Sequence, residues 1–232
     1  MLHPVICIDG PAASGKSTVA RLVAKDLGFV YVDTGAMYRA FTFLTLEAGH
    51  DPFSRERIRQ LLAKVDFHAE IRDSEVLLRE GQRDLAPFTR LPEVNAAVSP
   101  VSALPELREY LVNIQRKLRL SAPLVMEGRD IGTVVCSDSP YKFFIDACPK
   151  VRAERRQKQG QSDNLAARDK LDSSRAAAPL IRAADARLLD SGKADARSLA
   201  DLIVKQVRAS LDRKSTRLNS SHEWISRMPS SA

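Results

Sequence analysis

The run Val5-Ile6-Cys7-Ile8-Asp9-Gly10-Pro11-Ala12-Ala13-Ser14-Gly15-Lys16-Ser17-Thr18 decides the fold. Its first four residues suit a short strand buried on both faces. Directly behind them, Gly10 to Ser17 spell GxxxxGKS. Val19, Leu22, Val23 and Leu27 then recur at helical spacing, and Gly28 can end that helix in a left-handed cap. Strand, glycine loop and helix in this order make a P-loop. The backbone N–H groups of the loop, through Thr18, can approach phosphates, and the helix N-terminus adds favourable partial charge. Lys16 can reach the β and γ oxygens, while the Ser17 hydroxyl suits Mg²⁺. A chance Gly-rich turn would need the flanking strand and helix to be coincidences.

Working outward, 232 residues with 44% apolar and 28% charged content can bury one sizeable core. No basic-apolar leader precedes Val5, and no apolar run approaches the roughly 18 residues of a membrane span. A cytoplasmic protein without a membrane partner is expected. Cys7, Cys136 and Cys148 lack CxxC spacing, which suggests neither a disulfide framework nor a zinc site. The formal charge of +7 fits nucleic acid, acidic lipid or a small polyanion, and charge alone does not choose. Leu199, Leu202, Ile203 and Val207 give a helix over Ser198 to Leu211, after which Lys214 to Ala232 reads KSTRLNSSHEWISRMPSSA. All periodicity stops there, and the segment resembles translated sequencing-adapter read-through. A disordered, non-native tail is expected over 214–232, with a natural Ser-rich tail as the alternative.

Further strands end in polar clusters, where ligands of α/β folds sit. Phe29 to Val32 leads into Asp33-Thr34-Gly35-Ala36-Met37-Tyr38-Arg39. The Thr34 hydroxyl and Arg39 guanidinium there suit a second phosphate; a solvated Arg39 is the plain alternative. Ile58, Leu61, Leu62 and Val65 make a helical face, and Phe67, Ala69 and Ile71 alternate as a strand. Val76 to Leu78 completes a hairpin, and His68, on its polar face, reads as exposed. A helical stretch carrying Ser99 is interrupted at Pro100 and restarts at Pro105, with Arg108 on the second part. Leu124-Val125-Met126 delivers Glu127-Gly128-Arg129-Asp130. Arg129 could clamp an acceptor phosphate, and Asp130 could hold Arg129 or accept from an exocyclic amine. Apolar runs near 143 and 187 complete a five-stranded parallel α/β sheet flanked by helices.

Four motifs, IDGPAASGKST, VDTGAMYR, EGRDIGTVV and RDKLDSSRAAAPL, stand in the order seen in bacterial cytidylate kinases, and the resemblance runs from about Val5 to Leu211. It implies one kinase domain over 1–213, with a P-loop kinase core of about 1–62 and 110–213. A monophosphate-binding insert of about 63–109 and a short lid of about 155–178 complete it. The implied activity is ATP-dependent phosphorylation of CMP and dCMP by a monomer, with Mg²⁺ held at Ser17. Lys16, Arg129, Arg168 and Arg175 would serve the transfer. Thr34, Arg39, Ser99, Arg108, Arg129, Asp130, Arg168, Asp172 and Arg175 would bind the acceptor: Ser99 and Arg108 read cytosine and Asp172 takes the sugar. Lys150 to Arg182 holds nine Lys or Arg against four Asp or Glu, of which Arg152, Arg155, Arg156 and Lys158 read as a solvated basic helix. Between Gly160 and Arg168 the lid looks shorter than is usual in the family. The rivals are a kinase for UMP or a small metabolite such as shikimate, or a P-loop nucleic-acid-dependent ATPase. No guanine-reading NKxD supports a switch, and no aromatic-basic stacking motif supports nucleic acid.

Overall fold

The computed structural model describes residues 2–158, 165–175 and 178–225, without the side chains of 165–168 and 214–225. β1 (Val5–Asp9) runs into α1 (Lys16–Leu27), followed by β2 (Val30–Asp33), α2 (Thr34–Glu47) and α3 (Arg55–Leu62). A small antiparallel sheet follows: β3 (Phe67–Arg72), β4 (Glu75–Glu80) and β5 (Arg83–Asp84). Next come α4 (Pro92–Val101), α5 (Pro105–Leu118), β6 (Leu124–Gly128), β7 (Tyr141–Asp146), α6 (Pro149–Lys158), α7 (Leu165–Ser173), β8 (Arg187–Asp190) and α8 (Ala196–Ile225).

The main sheet has the five parallel strands that the apolar runs predict, in the order β2-β6-β1-β7-β8. Side-chain alternation divides its core in two. Val5, Cys7, Val32, Leu124 and Met126 pack towards α2, α4, α5 and the small sheet. Ile6, Ile8, Val125, Phe143 and Ile145 pack towards α1 and α8 through Val19, Val23, Ile203 and Val207. Burial on both faces explains why these strands read as continuous apolar runs.

Three expectations need adjusting. The hairpin gains a third short strand, β5, whose two residues are too few to show periodicity. Pro100 does not interrupt α4, which ends at Val101; this close to a C-terminus, the missing N–H costs one terminal bond rather than an interior one. Helical backbone also continues past Leu211 to Ile225, over part of the tail expected to be disordered, while 226–232 lie outside the described residues. Once a helix is anchored, each further residue adds a hydrogen bond without a new nucleation cost. Among the described residues, no helix is long and apolar enough to cross a membrane.

Candidate active site

All five parallel strands end on one side, and the polar residues at those ends surround a cleft of about 640 Å³. β1 occupies the middle of the sheet, with β6 on one side and β7 on the other, so the loop after β1 opens at the crevice between them.

The loop itself is held from below. Gly10 passes so close to β7 that a Cβ there would lie 2.1 Å from the Ile145 carbonyl oxygen. Pro11 and Ser14 are buried beside it. Ala12, Ala13, Gly15, Lys16, Ser17 and Thr18 line the cleft. Lys16 is nearly covered, and its Nζ donates to Pro11 O at 3.1 Å. The Ser17 hydroxyl donates to Glu127 Oε2 at 2.7 Å.

Across from the loop, Asp33 caps α2 by accepting from the Ala36 N–H at 2.9 Å. Its other oxygen takes Arg39 at 2.8 Å and Arg90 at 2.9 Å. Burial pushes the Asp33 carboxyl up, but Arg39 and Arg90, with the Ala36 N–H and Lys16, together outweigh burial and hold it below its ordinary range. Arg39 is therefore buried and ion-paired rather than solvated, and its Nε has no hydrogen-bond partner. Thr34 donates to the Glu127 carbonyl at 2.7 Å. Only glycine at 128 permits that approach, since a Cβ there would lie 2.7 Å from Thr34 Oγ1.

Deeper in the cleft, Asp130 pairs with Arg108 at 2.7 Å, their side chains 7% and 6% exposed. The sequence offered Arg129 as one partner for Asp130; the structure gives it Arg108. Arg129 points the other way, its Nε 2.9 Å from Asp172 Oδ2. Arg175 holds the second Asp172 oxygen and reaches Ser102 Oγ at 3.1 Å. Ser102 also accepts from Arg108 through its carbonyl at 3.3 Å, and Ser99 lines the cleft one turn earlier. Asp9 fixes the turn that carries this group: its carboxylate accepts the N–H groups of Ile131 and Gly132 at 2.9 and 2.8 Å. Burial drives the Asp9 pKa up to about 6 despite those two donors.

The basic helix α6 is solvated only in part: Lys158 is exposed, as expected, whereas Arg155 and Arg156 are half-buried. Arg152 is buried, donating to the carbonyls of Ala147 and Ala12 and pairing with Asp169, so it braces the P-loop from outside. Arg155 donates to the Ser191 hydroxyl and carbonyl at 3.0 and 2.6 Å, while Arg156 and Lys158 line the cleft. These arginines follow a strand end, as the functional clusters do, and that position was the available signal. The Arg168 side chain and the expected shortening between Gly160 and Arg168 lie outside the described side chains. His68 is 43% exposed on the small sheet, away from the cleft lining.

Sequence reasoning gave no role to Glu127, which joins the two sides of the cleft, or to Tyr31, whose hydroxyl donates to Glu127 Oε1. Its place behind the Leu124–Met126 run could have marked Glu127; nothing in the sequence marks Tyr31. Among the described residues no three His, Cys, Asp or Glu side chains converge as metal ligands. Ser17, with its proton directed to Glu127, offers a cation an oxygen ligand beside the phosphate loop. This fits an ion held mainly by nucleotide phosphates and water, the habit of Mg²⁺.

Comparison with known proteins agrees with this arrangement. The cytidylate kinase family model matches residues 6–209. The cytidylate kinase of Pelotomaculum thermopropionicum is 42% identical over 220 residues, 89% of this chain and 96% of that protein. That of Mycobacterium leprae is 43% identical over 221 residues, covering 89% and 97%. Shikimate kinase from Acinetobacter baumannii in complex with shikimate is similar over 90% of this chain and 94% of that one. Its 14% identity and TM-score of 0.45 are too distant to bear on the acceptor. With a phosphate-binding loop facing a buried arginine-acid cleft, and with the family model matching residues 6–209 of the 232, this protein belongs to the cytidylate kinase family.

Proposed function

We propose that the chain moves the γ-phosphoryl group of ATP onto CMP and dCMP, forming CDP and dCDP by direct in-line transfer. One observation carries the reading: Ser17 of the donor loop and Thr34 of the opposite wall both bond to Glu127, each at 2.7 Å. Donor and acceptor sites thus share one residue, close enough for two bound nucleotides to meet end to end.

The P-loop amides and Lys16 hold the ATP phosphates. Magnesium bound with ATP offsets phosphate charge and helps to orient the γ-phosphoryl group, and Ser17 is its protein ligand. Thr34, Arg39 and Arg129 fix the acceptor phosphate; the orphaned Nε of Arg39 supports this assignment. Asp130 and Arg108 present an acceptor beside a donor in a dry pocket, with Ser99 near them. A carboxylate accepts hydrogen bonds only, which favours the exocyclic amine of cytosine over the carbonyl of uracil. Asp172 turns to the sugar, and Arg168 and Arg175 offset charge on the transferring group. A phosphate monoester oxygen is already nucleophilic at neutral pH, so no general base is assigned.

Residues of about 63–109 form the acceptor-binding insert in this reading, and those of about 155–178 the lid that excludes water. One chain lines the cleft on both sides, which supports a monomer. The three free cysteines suit a reducing cytoplasm. A panel of acceptors at fixed Mg·ATP, assayed by ADP release, tests the proposal. CMP and dCMP should outrun UMP and shikimate by at least about tenfold, the ratio expected when a wrong partner leaves buried polar groups unpaired. ADP release that ignores CMP and responds to DNA or RNA would refute it.

A further inference from the structure

Glu127 is buried at the end of β6 with both carboxylate oxygens engaged. Oε2 accepts from Ser17 at 2.7 Å and Oε1 accepts from the Tyr31 hydroxyl. Tyr31 comes from β2, where it sits beside Val125 while Asp33 sits beside Glu127. Its ring is covered by the guanidinium of Arg21, 4.1 Å from the ring centre. Arg21 lies one helical turn beyond Ser17 on α1, so the same helix face supplies the Ser17 hydroxyl and the cation that seats the tyrosine.

This geometry decides where the Ser17 proton goes. A hydroxyl has one proton and two lone pairs, and a carboxylate only accepts. With its proton directed to Glu127, Ser17 turns lone pairs towards the cleft, as a hard cation requires. Were the carboxylate to rotate, the same proton could point at the cation and oppose it. Burial, and then the Glu127 charge, push the Tyr31 phenol far above its ordinary range, so its O–H remains a donor.

We infer that Tyr31 is a positioning residue for the metal–nucleotide complex: by holding one oxygen of Glu127, it keeps the other on the Ser17 proton and leaves the Ser17 lone pairs to the cation. The inference rests on the Mg·ATP reading above. Tyr31→Phe keeps the ring, its burial and the Arg21 contact, and removes only the O–H. Calorimetric titration of ATP with and without Mg²⁺ is the test, alongside CMP titration and thermal unfolding. In the wild type Mg²⁺ should tighten ATP binding; in Tyr31→Phe that gain should shrink about tenfold, the usual loss when a residue supporting a metal ligand is removed. Affinity for metal-free ATP and for CMP should not change. The Mg²⁺ concentration for half-maximal kinase activity should rise by a similar factor. In a Ser17→Ala background the Tyr31 substitution should add nothing further.

An undiminished Mg²⁺ gain in Tyr31→Phe would overturn the inference, as would an equal loss of metal-free ATP and CMP affinity, the mark of a merely structural role. Additive losses in the double variant would also overturn it. A wild type in which Mg²⁺ leaves ATP affinity unchanged would instead remove the Mg·ATP reading, and the inference with it.

Discussion

Arg108 and Asp130 meet with both side chains almost dry, and such a pair is a risk as much as a support. Two charges taken from water are repaid only while each has the other. Asp130→Ala leaves the Arg108 guanidinium facing Tyr38, 5.2 Å from its ring centre, without the carboxylate it is paired with. Denaturant unfolding of that variant should show a loss of about 3 kcal/mol, and Arg108→Met in the same background should recover part of it. A loss within about 0.5 kcal/mol would mean that the pair is solvated in solution. Single residues also show where the sequence was legible. Lys16 and Ser17 could be placed at the cleft because local spacing to a glycine loop fixes their position. Arg152 and Arg155 were misread as solvated because their partners, Ala12 and Ser191, are distant in the chain.

At the scale of elements, the two strand-to-helix junctions do most to build the site. β1 places the P-loop at the N-terminus of α1, and β2 places Asp33 as the cap of α2 with Thr34 and Arg39 on its first turns. Both could be expected from sequence, because a buried strand, a polar turn and an amphipathic helix each leave a local pattern. α8 is different. Its buried stripe of Leu199, Ala200, Ile203, Val204 and Val207 is legible, but its continuation to Ile225 follows no apolar face. A chain ending at Arg213 keeps every buried residue of that helix among the described side chains. It should hold its thermal midpoint within about 2 °C and its activity unchanged. A drop of about 8 °C would show that 214–225 contribute packing.

For the whole molecule, stability should respond to pH through two acids, Asp9 buried and Asp33 partly buried, that act in different windows. The Asp9 pKa rises in the fold from the ordinary 3.8 to about 6, so the native state holds a proton that the unfolded chain has released. Its contribution is full below about pH 4 and is lost as pH rises through 6. The Asp33 pKa is lowered, so its contribution is present above the ordinary carboxylate value and is lost as pH falls below it. Denaturant unfolding in steps from pH 4 to 7 should therefore show a declining component that Asp9→Asn, which cannot titrate, removes. Identical slopes for the two proteins would contradict the burial of Asp9.

The sequence by itself determined the P-loop, the five parallel strands and most cleft residues, because phosphate binding and strand burial impose patterns within a few neighbouring positions. Only the tertiary structure decided the partners: Asp130 with Arg108, Arg129 with Asp172, and Ser17, Thr34 and Tyr31 all on Glu127. Strand order brings β2 and β6 together across more than ninety residues, and their register sets Asp33 opposite Glu127. Hydrogen bonds act over about 3 Å, so their partners follow from packing and not from spacing along the chain.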